Sequence, residues 1–158
     1  MRREELRGIL SEVENGRMAV EDALAQLAAF PASLDLGHTT LDTAREARCG
    51  HPEVVYGAGK TPQELLDISR AVLEHHERLL VTRATDDGLA LLTAELDEAV
   101  VHERSRSVTV GAPDEANLSG LVTVVSAGTS DGAVAEEAVV TARFLGAHVA
   151  EVRDAGVA

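Results

Sequence analysis

Residues 42–60 contain the side chains whose types and spacing best fit a chemical role. Basic residues are scarce, because the chain has 14 Lys and Arg against 27 Asp and Glu, yet Arg45, Arg48 and Lys60 all fall within this stretch. Arg45 and Arg48 are separated by one helical turn in sequence, so in a helix they would share a face and could clamp a carboxylate or a phosphate. The stretch is therefore a candidate anion-binding segment.

Lys60 follows a Gly57-Ala-Gly59 turn and comes directly before a helix start. The order glycine, lysine, threonine invites comparison with a nucleotide-binding P-loop. That pattern needs a further glycine where this chain has Val54, so we reject it. Two interpretations are left: a solvated turn, or an anion site made by Lys60, the backbone of Gly57 and Gly59, and the following helix N-terminus.

Residues 122–131 form a second candidate site, because an apolar run leads into a polar turn and then into a helical pattern. Strand, turn and helix in that order place backbone N–H groups where an anion such as a phosphate is favoured. Asp131 adds a negative charge, so we expect it to cap the helix or to hold a ribose hydroxyl. An ordinary strand-to-helix turn would explain the same residues. The candidate binding residues are Ser126, Gly128, Thr129, Ser130 and Asp131.

Cysteine and histidine add little to these two segments. Cys49 lies beside Arg48, and nearby cations can activate a thiol as a nucleophile, but an ordinary loop thiol is the simpler interpretation. His75 and His76 come late in a predicted helix and are expected at the surface, where they suit the helix dipole. No spacing of His, Cys and carboxylates resembles a closed metal site, so no metal ligand is predicted.

The composition limits the classes of function. The net charge is −13, which disfavours nucleic-acid binding because that needs a basic face. One cysteine excludes an intrachain disulfide framework and fits a reducing compartment. The N-terminus lacks the apolar region of a signal peptide, and no apolar run reaches the roughly 18 residues of a membrane span. We therefore expect a cytoplasmic protein that binds neither nucleic acid nor membrane.

The elements that must position the candidate residues begin with a helical hairpin in residues 1–30. Apolar residues at helical spacing predict one helix over 2–14 and another over 19–29. The apolar seam between them is expected to pack on a partner or on the following domain. Residues 31–50 show little periodicity, and a loop of that length is often functional or disordered.

Residues 31–111 are predicted to form a small α/β domain, because strand and helix patterns alternate. A linker at 112–119 leads to a final segment, 120–158, with the pattern of one β-α-β unit. The fold class is thus α/β: a helical hairpin, a small α/β domain, and the first β-α-β of a parallel-sheet domain. The predicted strands are 54–56, 79–82, 99–102, 107–110, 120–126 and 148–152, and the predicted helices after the hairpin are 62–76, 88–96 and 133–146, with a turn at 127–132.

One long motif resembles the signature of the LarB family: Asp42-Thr-Ala-Arg45-Glu-Ala-Arg48-Cys-Gly50-His-Pro52-Glu53-Val-Val-Tyr56-Gly57-Ala-Gly59-Lys60-Thr61. Residues 124–138 resemble the start of that family's second domain, which is similar to the PurE-type aminoimidazole ribonucleotide carboxylases. The resemblance covers about residues 3–158. The first motif is specific to LarB, whereas the second is shared with PurE, where the equivalent loop contacts a ribose phosphate. The resemblance therefore implies a PurE-like, flavodoxin- or Rossmann-like three-layer second domain.

The resemblance implies a reaction. The LarB family makes the pyridinium-3,5-biscarboxylic acid mononucleotide precursor of the nickel-pincer nucleotide cofactor. Nicotinic acid adenine dinucleotide would be carboxylated on its pyridinium ring by CO2 or bicarbonate, and its phosphoanhydride would be hydrolysed to release AMP. No bound cofactor is firmly implied, and assistance by Mg2+ stays open.

The resemblance also implies roles for the candidate residues. The three cations would orient the substrate carboxylate, the incoming CO2 or the phosphates, and the 126–131 turn would hold the ribose phosphate. Asp42 and Glu53 would pair with the arginines and orient them, or one of them would act as a base. The catalytic candidates are Asp42, Arg45, Arg48, Glu53 and Lys60, with Gly57 and Gly59 added to the substrate-binding set.

In the family, a cysteine near the C-terminus of the PurE-like domain adds to the pyridinium ring. Cys49 is not at the matching place, and one β-α-β unit cannot form a doubly wound sheet. We therefore expect this chain to be the first part of a longer enzyme and to be inactive alone, or to borrow strands from another copy. PurE-like domains assemble into octamers, which implies a homo-oligomer for the intact protein.

Two other functions stay open on the sequence. A PurE-type carboxylase or mutase acting on an aminoimidazole ribonucleotide would explain residues 122–131, but not the long preceding segment with its own motif. A non-enzymatic nucleotide-binding or assembly module would use the helical hairpin as a contact surface. Ligand preference separates the two enzymes, and loss of binding in Arg48→Ala or Lys60→Ala separates both from the module.

Overall fold

The computed structural model describes residues 3–29, 33–37, 39–51 and 53–156, and the side chains of Arg3, Ala29, Ala47 and Arg48 lie outside that description. The helices are α1 (Arg3–Glu14), α2 (Val20–Ala29), α3 (Arg45–Cys49), α4 (Pro62–His75), α5 (Asp86–Glu95) and α6 (Gly132–Phe144). The strands are β1 (Leu34–Asp35), β2 (Thr40–Leu41), β3 (Val54–Tyr56), β4 (Leu79–Thr82), β5 (Val100–His102), β6 (Ser107–Val110), β7 (Leu121–Val125) and β8 (His148–Val152). The mixture confirms the α/β fold class.

The predicted helical hairpin is α1 and α2, which pack together through buried apolar residues such as Ile9 and Ala23. The turn between them is tight because Gly16 takes a φ of +69°, a conformation that favours glycine. The Arg17 guanidinium, just after the turn, pairs with the Glu12 carboxylate before it at 2.8 Å. This contact lies at the surface, so it contributes little to stability.

Residues 33–37 and 39–50 contain more regular structure than their sequence pattern indicates. β1 and β2 form a short antiparallel pair in which Leu34 lies opposite Leu41. Leu41 and Thr43 are buried, and the helix α3 follows them. Elements of two and five residues are too short to produce a periodic signal, so the sequence alone could not reveal them.

A mixed four-stranded sheet of order β3-β4-β6-β5 forms the centre of the first domain. β3 and β4 are parallel and are joined by α4, whereas β6 runs antiparallel to both β4 and β5. The start of α4 is fixed by the predicted capping box, in which Thr61 and Glu64 exchange hydrogen bonds. The sequence predicted these strands, but not the order in which they pair.

The central strand β4 is buried on both faces, and its side chains alternate between two apolar clusters. Leu79 and Val81 belong to the main core, which α4 and α5 cover. Leu80 points the other way and packs with Val140 and Phe144 of α6. The sheet therefore lies between two helical layers, and the second layer comes from the last β-α-β unit of the chain.

That last unit consists of the parallel pair β7 and β8 joined by α6, as predicted. The helix starts at Gly132 and ends at Phe144, slightly earlier than the sequence pattern indicates. A short 3-10 turn over Thr129–Asp131 occupies part of the predicted turn. Because α6 packs on β7 and β8 as well as on Leu80, it joins the two sheets.

Candidate functional site

Several turns of the first domain meet at one end of its sheet. β3 and β4 are parallel, so their carboxyl ends lie at the same edge, and the antiparallel β6 begins there. The Gly57 N–H donates to the Thr82 carbonyl at 2.7 Å, and the Ala84 N–H donates to the Arg106 carbonyl at 2.9 Å. We call residues 57–60, 83–85 and 103–106 the carboxyl-end rim.

The predicted glycine turn forms part of this rim. A Cβ on Gly57 would lie 2.9 Å from the Thr82 oxygen and 3.0 Å from the Ala84 Cα, so only glycine allows this close approach. The Lys60 N–H donates to the Gly57 carbonyl at 3.1 Å and completes the turn. Lys60 is half-buried, and within the described ranges no carboxylate pairs with its ammonium group. The ammonium is therefore available to an anion.

The second predicted site, residues 126–131, is arranged differently from the expectation. One Asp131 carboxylate oxygen accepts from the Ala127 and Gly128 N–H groups, each at 3.1 Å. Asp131 thus caps the 3-10 turn and makes no side-chain cap on α6. Those two amides are therefore already paired with the Asp131 carboxylate. The hydroxyls of this turn belong to Ser126, Thr129 and Ser130, of which Thr129 and Ser130 are exposed.

The carboxyl-end rim touches the 126–131 turn and the first half of α6. Arg104, in the turn between β5 and β6, donates from Nη2 to the Thr129 carbonyl at 2.5 Å. The next residue, Ser105, donates its N–H to the Glu136 carboxylate at 2.7 Å. The structure therefore brings the Lys60 turn and the 126–131 turn to the same end of the molecule.

A cleft of about 160 Å³ lies between Arg104, in the turn that joins β5 to β6, and the last β-α-β unit of the chain. Pockets for whole drug-sized ligands measure about 300–1,000 Å³, so this cleft fits one group of a larger ligand rather than a dinucleotide. The lining residues are Arg104, Ser126, Gly128, Thr129, Gly132, Ala135, Glu136, Glu151, Arg153 and Asp154.

Ion pairs hold the charged side chains around the cleft. The Arg83 guanidinium pairs with Glu137 at 2.9 Å and stacks 5.9 Å from the Tyr56 ring centre, and the hydrogen bond to Glu137 raises the pKa of Arg83. The Arg153 guanidinium bonds Glu151 at 2.7 Å, and this hydrogen bond lowers the pKa of Glu151. Glu137 and Glu151 are therefore each already paired with an arginine.

Asp42 and Glu53, two of the other predicted catalytic residues, lie away from the carboxyl-end rim. Glu53 precedes β3, and its carboxylate accepts the Asp42 N–H at 2.9 Å. A strand rises about 3.3 Å per residue, which separates Glu53 from Gly57 by roughly 13 Å. Asp42 and Glu53 therefore join the end of β2 to the start of β3, and neither lies beside Lys60.

The backbone of the two predicted arginines is helical, since Arg45–Cys49 is α3. Arg45 is half-buried, and its Nε is buried without a hydrogen-bond partner among the described atoms. The Arg48 side chain lies outside the described residues, so the predicted clamp is not tested. Cys49 is exposed at the end of the helix.

The prediction for His76 is wrong. Its side chain is buried, and its Nδ1 lies 2.7 Å from the Glu46 carboxylate. Its Nε2 is buried and has no partner within the described part of the chain. The sequence gives no signal for this pair, because α3 and the end of α4 meet only in the folded chain.

The first part of the chain matches a known protein family. Residues 33–112, about half of the chain, match a family model described as the LarB/PurE-like N-terminal domain. The chain belongs to the LarB/PurE-like family. The match includes the Asp42–Lys60 motif and the whole carboxyl-end rim, and it relates the chain to carboxylase-type enzymes. The LarB/PurE-like assignment made from the motif is thereby confirmed.

A curated relative extends the similarity beyond the LarB/PurE-like domain. An uncharacterized protein from Methanocaldococcus jannaschii is 27% identical over 159 aligned residues, covering 97% of this chain. The chain spans 62% of the length of that relative.

In residues 3–29, 33–37, 39–51 and 53–156, no helix has the length and hydropathy of a membrane span. Within the same ranges, no group of three or more His, Cys, Asp and Glu side chains is placed to hold a metal ion.

Proposed function

We propose that the protein containing this chain carboxylates the pyridinium ring of nicotinic acid adenine dinucleotide and hydrolyses its phosphoanhydride, as in biosynthesis of the nickel-pincer nucleotide cofactor. The products would be pyridinium-3,5-biscarboxylic acid mononucleotide and AMP. The observation that carries the proposal is the LarB/PurE-like match over residues 33–112, which contains the 42–60 motif.

Carboxylation of the ring and hydrolysis of the phosphoanhydride need different chemical groups. In carboxylation, a ring carbon forms a bond to CO2 and loses its proton. In hydrolysis, water adds across the phosphoanhydride and AMP leaves. The first needs CO2 or bicarbonate as co-substrate, and the second needs cationic or hydroxyl groups to stabilise the phosphates. Mg2+ would assist the second reaction without a dedicated protein site, as it often binds through substrate phosphates.

The Lys60 turn, residues 57–60 of the carboxyl-end rim, supports substrate binding. Lys60 offers an ammonium group without a described carboxylate partner, and the Gly57 backbone fixes its position. The hydroxyls of Thr129 and Ser130 would hold the ribose phosphate, with Asp131 shaping their turn. Lys60 would neutralise the substrate carboxylate or a phosphate.

Asp42, Arg45, Arg48 and Glu53 belong to a separate polar group in this proposal. The unpartnered Nε of Arg45 is a donor that a carboxylate or bicarbonate would satisfy. Glu53 and Asp42 would hold the segment that carries it, through the 2.9 Å contact between them. Arg45→Ala therefore tests this group independently of Lys60.

The decisive experiment supplies the full-length protein with nicotinic acid adenine dinucleotide and 13C-bicarbonate, with and without Mg2+, and measures products by mass spectrometry. We expect a labelled biscarboxylic mononucleotide and AMP. Lys60→Ala should reduce kcat/KM about 10-fold or more, the loss expected for a charge-assisted hydrogen bond. Arg17→Ala removes an equal charge in the helical hairpin and should leave kcat/KM unchanged.

Absence of both products from the full-length protein would contradict the proposal, and so would equal losses in Lys60→Ala and Arg17→Ala. Binding to the present chain gives an independent measurement. Calorimetry should show that it prefers nicotinic acid adenine dinucleotide to NAD, since only the acid carries the ring carboxylate.

The proposal includes homo-oligomeric assembly. β7 exposes Leu121, Val122 and Val125, with exposed fractions of 68%, 40% and 60%. Apolar side chains on a strand of a parallel sheet are normally covered. Light scattering should therefore give a mass well above that of one chain, and a monomer at micromolar concentration would contradict assembly.

A further inference from the structure

Arg104 connects the first domain to the cleft of the second. It lies in the turn between β5 and β6, which the sequence analysis did not select. Its Nη2 reaches the Thr129 carbonyl at 2.5 Å, and the adjacent Ser105 N–H anchors the same turn to Glu136 at 2.7 Å. The turn is thus held at both residues against the 126–131 segment and α6.

Gly132 makes room for the Arg104 side chain. A Cβ at this position would overlap the guanidinium carbon of Arg104. Gly132 itself has a φ of −60° and a ψ of −31°, which any residue adopts. Glycine at this position therefore leaves space for the guanidinium, which lies on the wall of the cleft.

The charges of the cleft leave Arg104 as its available cation. The other lining arginine, Arg153, is paired with Glu151 at 2.7 Å. Glu136 accepts the Ser105 N–H, and Glu151 accepts from Arg143 as well. Within the described part of the chain, Arg104 has a neutral carbonyl as its partner and no carboxylate. A guanidinium has five N–H donors, so most of its capacity is unused.

The size and chemistry of the cleft fit a phosphate group. Its volume is about 160 Å³, and the hydroxyl-bearing Ser126 and Thr129 line it beside Arg104. Arginine binds phosphate through two parallel hydrogen bonds, whereas a neutral carbonyl takes one. A phosphate would therefore be a better partner for Arg104 than the Thr129 carbonyl.

We propose that Arg104 binds the phosphate of a nucleotide or sugar phosphate in this cleft, so that the first domain completes the phosphate site of the second. On binding, the guanidinium exchanges the Thr129 carbonyl for two phosphate oxygens. The ligand's identity as a nicotinic acid nucleotide rests on the proposed function, but the phosphate contact does not.

The test uses ribose 5-phosphate as the probe and ribose as its phosphate-free counterpart, titrated calorimetrically into the chain. Arg104→Gln should raise the Kd of ribose 5-phosphate about 10-fold or more. The matched control is Arg106→Gln, because Arg106 lies in the same turn and pairs with Asp86 at 2.9 Å outside the cleft. In this control variant, the Kd of ribose 5-phosphate should stay within about twofold of the wild-type value.

Gly132→Ala provides a second variant that keeps the charge. Its added methyl displaces the Arg104 guanidinium, so we expect weaker binding of ribose 5-phosphate with unchanged far-UV circular dichroism. Arg104→Lys should bind ribose 5-phosphate more tightly than Arg104→Gln but more weakly than wild type, since lysine cannot form the bidentate contact.

Three results would overturn the proposal: ribose 5-phosphate that binds wild type no better than ribose, an unchanged Kd in Arg104→Gln, or equal losses in Arg104→Gln and Arg106→Gln. If the proposed function is wrong but the phosphate contact is right, the binding measurements give a different result. The probe would then still bind through Arg104, while nicotinic acid adenine dinucleotide would neither bind nor react.

Discussion

His76 and Glu46 show how a contact between a buried histidine and a partly buried carboxylate fixes a short element. α3 has five residues and cannot be stable alone, because an isolated helix of that length does not repay its nucleation cost. The 2.7 Å contact between Glu46 and His76 ties it to the end of α4. The backbone that carries Arg45 and Arg48 is therefore positioned by a histidine from a different helix.

Removing the Glu46 carboxylate should be costly, because it leaves a second buried nitrogen of His76 without a partner. We expect Glu46→Ala to lower the free energy of unfolding by about 1–3 kcal/mol. Glu95→Ala breaks the exposed Arg70–Glu95 pair and should cost about 0–1 kcal/mol. Urea denaturation of both variants measures the difference, and equal losses would contradict the role given to His76.

The partly buried His102 leads us to expect that the free energy of unfolding depends on pH. Burial lowers its pKa in the folded chain, with the Glu136 charge opposing this shift and Arg143 adding to it. Between the folded value and the unfolded value of about 6.5, the unfolded chain binds more protons. The free energy of unfolding therefore falls as the pH drops through that window.

The measurement is urea denaturation at pH 7.5 and pH 5.5. His102→Gln should reduce the loss of stability on acidification, because it removes the group that gains a proton on unfolding. His148→Gln changes an exposed histidine and serves as the control. The same pH dependence in His102→Gln and wild type would disprove this account.

At the scale of the element, the Gly57 turn depends on close backbone packing. An added Cβ would meet the Thr82 oxygen at 2.9 Å and the Ala84 Cα at 3.0 Å, and backbone atoms cannot move aside cheaply. Gly57→Ala should therefore destabilise the chain by about 1–3 kcal/mol and weaken binding at Lys60. Thermal denaturation and ligand titration measure the two effects.

Gly8→Ala is the matched control for that substitution. Gly8 lies inside α1, and an added Cβ would meet nothing within 4 Å. Alanine in a helix interior is favoured by about 0.5–1 kcal/mol over glycine, so this variant should be slightly more stable. If both substitutions shifted stability in the same direction, the packing at Gly57 would not be the cause.

At the scale of the whole molecule, α6 is the element that unites the two sheets. Phe144 is 3% exposed, packs with Leu80, and lies 5.2 Å below the Arg78 guanidinium. Arg78 also donates to the Phe144 carbonyl at 2.8 Å. Apolar and polar contacts at the end of α6 thus dock the last β-α-β unit on the first sheet.

Phe144→Ala should cost about 3–5 kcal/mol, because it leaves a cavity against β4. Val134 lies on the same helix with an exposed fraction of 61%, so Val134→Ala should change stability by less than about 0.5 kcal/mol. The double variant with Leu80→Ala should be non-additive by about 0.5–3 kcal/mol. Additive effects would mean that α6 does not dock on β4.

Local patterns were sufficient for much of the fold. The capping box at Thr61, the apolar strand Leu79–Thr82 and the β-α-β order after residue 120 are each encoded by neighbouring residues. The Asp42–Lys60 motif likewise indicated the LarB family from sequence alone. Such features can be predicted from the sequence because they depend on the spacing and type of nearby residues. They do not depend on which elements pack together in the fold.

Contacts between distant segments were decided only by the tertiary structure. The sequence predicted roles for Lys60 and the 126–131 turn, but only the folded chain shows that Arg104, just before β6, contacts that turn at Thr129. The same packing separates Glu53 from Lys60 and buries His76 against Glu46. Periodicity reports which face of an element is apolar, whereas strand order and helix docking depend on side chains that are far apart in sequence.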